Sequence, residues 1–127
     1  MTIHWKEMVP IYLACATWSR RWAGKHILFR SDNRGVVDTL NGSLCCDSWA
    51  MEMVHRIAFI CAVHGCAVCA KNISGTSNPI ADALSRQDMA RFRRLHPAAS
   101  ATPSAIPAAA MNVLPPPYAV LKKLHLQ

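Results

Sequence analysis

Apolar and polar positions follow two periods along this chain of 127 residues, and the period changes at glycines. Between His4 and Trp22, the residues Ile11, Cys15, Trp18 and Trp22 recur every three or four positions, which places them on one side of a helix. Glu7 lies one turn earlier on the same stripe. A carboxylate on an apolar face needs a pairing partner, water or a metal, because an unpaired buried charge is costly. The alternative is a helix that begins near Lys6 with Glu7 facing solvent in its first turn. Pro10 supports a late start, since the first amides of a helix have no intrahelical partner and a missing N–H removes little there.

Gly24 ends this segment, and Lys25 to Ser31 reads as a short strand with the apolar body His26-Ile27-Leu28-Phe29. Asp32 stands at its C-terminal edge, where open α/β sheets bind ligands; the plainer reading of Asp32-Asn33 is a turn. Arg34 to Leu40 predicts a short helix ended by Asn41-Gly42, followed by a polar loop over 43–48 that carries Cys45 and Cys46. A second long helix is expected from Asp47 or Ser48, through Trp49, Met53, Ile57 and Ile60, to His64, where Gly65 stops it. Cys66 to Ile73 is a mostly apolar strand, a pattern that fits burial on both faces of a parallel sheet. Ser77 or Asn78 then caps a helix with Pro79 at its first position and Asp82 in its first turn, where an acid complements the positive helix end. That helix continues or restarts through Met89 to Arg94. The order of elements predicts an α/β domain with helices packed on a small, mostly parallel sheet.

Composition narrows the class. A hydrophobic fraction of 52% with 17% charged residues describes a globular chain. The length allows one domain, over 1–96, and the prolines crowd from Pro97 onward, so 97–127 reads as a Pro/Ala-rich linker or tail. A formal net charge of +7 favours an anionic partner, nucleic acid first. No segment near Met1 has the form of a secretory signal, so the six cysteines are expected as reduced thiols in a cytoplasmic or nuclear setting. The apolar run from Ile57 to Ala70 is broken by His64 and Gly65 and is shorter than the ~20 residues that cross a bilayer, so no membrane partner is expected.

Three motifs in order carry a family resemblance: Trp5-Lys6-Glu7-Met8-Val9-Pro10-Ile11, then Ser31-Asp32-Asn33, then Asn78-Pro79-Ile80-Ala81-Asp82-Ala83-Leu84-Ser85-Arg86. Together they resemble the ribonuclease H domain of retrotransposon reverse transcriptases. The resemblance is greatest to the DIRS-like, tyrosine-recombinase group, where Lys-Glu-Leu-Ile-Pro-Ile, Cys-Asp-Asn and Ala-Asp-Ala-Leu-Ser-Arg are expected. It covers about Ile3 to Pro97. It implies a ribonuclease H-like fold in which Glu7, Asp32 and Asp82 are catalytic metal ligands. They would hold two Mg²⁺ ions, or Mn²⁺, during hydrolysis of the RNA strand of RNA–DNA hybrids. Lys25, Arg30, Arg34 and Arg86 are the implied nucleic-acid contacts, and an upstream reverse-transcriptase segment is the implied partner in the parent polyprotein. The family begins with three strands, the first bearing a further catalytic aspartate, whereas only six residues precede Glu7 and none is acidic. The fold is therefore expected to be partial, with weak or absent activity for this chain alone. No histidine lies between Ile73 and Asp82, where some cellular relatives carry one.

Two further readings remain. A catalytically dead remnant of the same fold would act as a nucleic-acid-binding or spacer piece. A zinc module would use Cys61, His64, Cys66 and Cys69, although Cys66 and Cys69 point to opposite faces of an extended strand.

Overall fold

The computed structural model describes residues 3–43, 47–74 and 77–112. Helix α1 (Ile3–Trp18) ends in a short 3₁₀ turn (Ser19–Trp22) and leads to strand β1 (His26–Ser31). Helices α2 (Arg34–Leu40) and α3 (Ser48–His64) precede strand β2 (Ala67–Asn72). Three shorter helices follow: α4 (Pro79–Ser85), α5 (Met89–Leu95) and α6 (Ala108–Asn112). β1 and β2 form a two-stranded parallel sheet, so the chain is α/β. No helix among the described residues is long and apolar enough to cross a membrane.

The core is the seam between α1 and α3. Met8, Val9, Tyr12 and Cys15 of α1 are buried with Ala50, Met53, Ile57 and Cys61 of α3, and Val36 of α2 joins them. α1 begins at Ile3, within a residue of the His4 start read from the periodicity; the alternative start near Lys6, which Pro10 supports, is not taken, and Pro10 lies inside the helix. An interior proline costs about 3 kcal/mol or more. Burying a Val, Ile or Met side chain returns about 1.5–3 kcal/mol each, and Met8, Val9 and Ile11 flank the proline on the buried side. Pro10 itself faces solvent. Two thiols belong to the same seam: burial, and then the neighbouring Cys61 and Cys66, push Cys15 up to about 12, and burial pushes Cys61 up to about 11. Both are therefore neutral packing groups at ordinary pH.

Local signals set most boundaries. Asp47 caps α3, accepting from the Trp49 and Ala50 amides, and Asn33 caps α2, accepting from Val36 N–H. Gly65 ends α3 at φ 68°, and the N–H of Cys66 returns to the Cys61 carbonyl at 3.0 Å. Gly24, at φ 72°, donates to the Gly65 carbonyl at 2.8 Å, and Ala67 N–H then reaches Lys25 O at 3.1 Å. Two left-handed glycines thus bring the chain into both strands side by side, with His26 opposite Ala67 and Ser31 opposite Asn72.

The expectation that the second strand is buried on both faces is not met. Ile27, Phe29, Val68 and Ala70 turn toward the core, while Leu28, Arg30, Cys69 and Lys71 are exposed on the other face. The outer edge of β2 is closed by a side chain. The Asn41 amide donates to Ala70 O and accepts from Ala70 N–H, both at 2.8 Å, and so stands in for a third strand.

The Pro/Ala-rich segment folds back as far as it is described. Arg93 lies 5.4 Å from the Phe92 ring centroid and donates to the carbonyls of Ala99 and Ser100 at 3.0 and 2.8 Å. Further on, Tyr12 Oη donates to Ala110 O at 3.2 Å, and Ala110 and Met111 are buried. The expected terminal helix over Val120 to Leu126, and Cys45 with Cys46, lie outside the described residues.

Replacing Asn41 with Ala leaves both polar groups of Ala70 without their partner. The expected loss is about 1–2 kcal/mol of unfolding free energy, read as a lower urea midpoint at unchanged m-value.

Candidate carboxylate site

Three elements converge beyond the C-terminal end of β1. α1 contributes Glu7, Pro10 and Ile11, the strand end contributes Arg30, Ser31 and Asp32, and α4 contributes Asn78, Asp82 and Ser85. They line one cavity of about 680 Å³. Glu7, Asp32 and Asp82, far apart along the chain, therefore share a single concave surface.

Each carboxylate arrives there for a local reason. Glu7 sits on the solvent side of α1, one turn before Ile11, because Met8 and Val9 take the buried positions. Asp32 is not the turn-forming residue of its pair. The tight turn is made by Ser31 Oγ accepting from Asn33 N–H and by Asn33 Oδ1 accepting from Val36 N–H, both at 3.1 Å. Among the described residues, neither the Glu7 nor the Asp32 side chain has a hydrogen-bond or ion-pair partner.

Asp82 differs. Its Oδ1 accepts from Arg86 Nε and its Oδ2 from Arg91 Nη1, each at 3.0 Å. Arg86 lies one turn further along α4, whereas Arg91 comes from α5 across a reversal at Gln87, which adopts φ 58°. Asp88 caps α5 by accepting from Arg91 N–H at 3.1 Å, and this fixes where the Arg91 side chain starts. Asp82 thus ties α4 to α5. The hydrogen bonds from Arg86 and then Arg91 hold its carboxyl below the ordinary value of 3.8.

The four cations expected from sequence are dispersed. Arg30 lines the cavity and Arg86 pairs with Asp82. Arg34 is exposed at the start of α2 and is not part of the lining. Lys25 precedes the opposite end of β1, roughly 20 Å away at ~3.3 Å per strand residue. Arg91 was not visible as a site residue from sequence; the only signal for it is the Asp88 cap, which starts a new helix three residues before it.

Carboxylate oxygens are the right donors for Mg²⁺ or Mn²⁺. As arranged, both oxygens of Asp82 accept from guanidinium groups. Among the described residues, no three His, Cys, Asp or Glu side chains come together to hold a metal ion. The same finding covers Cys61, His64, Cys66 and Cys69; Cys69 is exposed on the outer sheet face while Cys66 packs on the core. No protein-family profile matches the chain, and no curated protein or solved structure matches it.

A depressed folded-state pKa stabilises the fold above the unfolded value and loses that stabilisation as pH falls through the folded value. In a ¹³C-carboxyl NMR titration Asp82 should titrate below 3.8, and substituting Arg86→Gln with Arg91→Gln should bring it back up toward that value. An Asp82 midpoint unmoved by the double substitution would rule out the arginines as the cause.

Proposed function

We propose that the chain is a ribonuclease H-like nuclease domain of the retrotransposon reverse-transcriptase type, acting on RNA–DNA hybrids with weak cleavage on its own. One observation carries this reading: Glu7, Asp32 and Asp82, from a helix, a strand end and a second helix, line one cavity at the sheet's C-terminal edge. The motifs around these residues support it, as does the net charge of +7. Arg30 in the cavity wall offers a phosphate contact, and hybrid recognition in this reading rests on such contacts together with RNA 2′-hydroxyls. Mg²⁺ or Mn²⁺ is the ion this chemistry uses. As they stand, the three side chains do not form an ion site.

A second reading, a nucleic-acid-binding remnant without catalysis, is favoured by the double pairing of Asp82. A carboxylate that accepts from two guanidinium groups has its negative charge already offset, which weakens its pull on a cation.

The test is cleavage and binding of a labelled RNA–DNA hybrid in Mg²⁺, with Asp82→Asn as control. Slow RNA-strand cleavage lost in the control supports the nuclease. Hybrid binding in preference to duplex DNA, without cleavage above the control, supports the remnant. Neither cleavage nor hybrid preference overturns both. Arg30→Ala should weaken hybrid binding independently of sequence and reduce the salt slope by about one.

A further inference from the structure

A second cavity, of about 540 Å³, shares no lining residue with the carboxylate site. Its volume falls within the range of about 300–1,000 Å³ typical of small-molecule sites. Tyr12 and Ala16 of α1 form one wall and Phe59 and Ile60 of α3 another. The third is Pro107, Ala109 and Ala110 of the returning tail, held in place by the hydrogen bond from Tyr12 to Ala110. Phe59 is 71% exposed, an unusual position for a large apolar residue on a concave wall.

Charge enters this apolar cleft asymmetrically. Arg20, Arg56, His55 and His64 line it, against a single carboxylate, Glu52. Glu52 Oε1 accepts from Arg56 Nη2 at 2.9 Å and uses only part of that guanidinium. Arg56 Nε is out of reach of solvent and has no acceptor among the described residues. Two arginines against one glutamate leave the lining with an excess of positive charge, which suits an anionic ligand group. A guanidinium fork is the side chain best suited to a planar carboxylate, and partial desolvation strengthens that pairing.

We propose that this cavity binds a small aromatic carboxylate, with the ring between Phe59 and the Pro107–Ala110 wall and the carboxylate at Arg56. The proposal is independent of the nuclease reading, since the two sites have no residue in common.

The test uses the full chain and 1-naphthoate as probe, with the neutral 1-naphthalenemethanol as its shape-matched control, by calorimetry. One equivalent of naphthoate should bind about tenfold or more tightly than the alcohol. Arg56→Gln should erase that preference, and Ala109→Trp, which fills the cleft from the tail, should remove binding of both. Amide chemical-shift changes on the unsubstituted chain give a readout that needs no variant, and they should centre on Tyr12, Phe59 and Ala109. Equal affinity for acid and alcohol, binding that survives Ala109→Trp, or shift changes centred elsewhere would each overturn the proposal.

Discussion

The α1–α3 seam is the interaction on which the rest of the molecule depends. Met8 and Cys15 meet Met53, Ile57 and Cys61 with almost no residual exposure, and most of these are flexible or small groups that fill irregular gaps. Because α1 is clamped there, its other positions have no choice of direction. Glu7 and Pro10 line one cavity, and Ala16, beside the seam residue Tyr12, lines the other. One buried stripe therefore sets the orientation of both concave surfaces, and the interior proline is tolerated as part of the same arrangement.

A two-stranded parallel sheet is a weak scaffold, since an isolated strand pair is marginal in water. Here it is held at its entrance by the Gly24–Gly65 contact and along its outer edge by the Asn41 amide, with Phe29 and Val68 turned into the core cluster. These restraints put the end of β1, and with it Asp32, at a defined place beside α1. Leu28, 48% exposed opposite Cys69, remains on the uncovered face, so the sheet is a half-buried one in which only every second residue contributes to the core.

Features decided by neighbours in sequence were legible in it. The start of α3 near Asp47, Pro79 at the first helical position, Gly65 as a stop and the extent of α2 all follow from backbone chemistry within a few residues, whereas the Asn33 cap reads only as part of a turn. Features decided by distant partners were not. Pro10 argued for a late helix start because the burial that overrides it comes from α3. β2 reads as buried on both faces because its apolar composition does not say how many layers cover it. The tail reads as a linker because its anchors, the Tyr12 hydroxyl and the Arg93 guanidinium, lie in other elements. That Glu7, Asp32 and Asp82 would lie near one another was implied only by the resemblance, and the engagement of Asp82 by Arg91 was not anticipated at all, since it requires the reversal at Gln87.

That engagement separates the three acids into two kinds. Glu7 and Asp32 are exposed and unpaired among the described residues, and their positions are fixed by α1 packing and by the Ser31–Asn33 turn. Asp82 is held by side chains, one of them from α5, and its availability depends on how α5 sits against α4. Exposed ion pairs are individually weak and screened by solvent, so a well-placed cation competes with the two guanidinium groups for Asp82. Whether the acidic cavity acts as a ligand site or only as a surface joining α4 and α5 thus turns on the arginines, and not on the two carboxylates that the core holds in place.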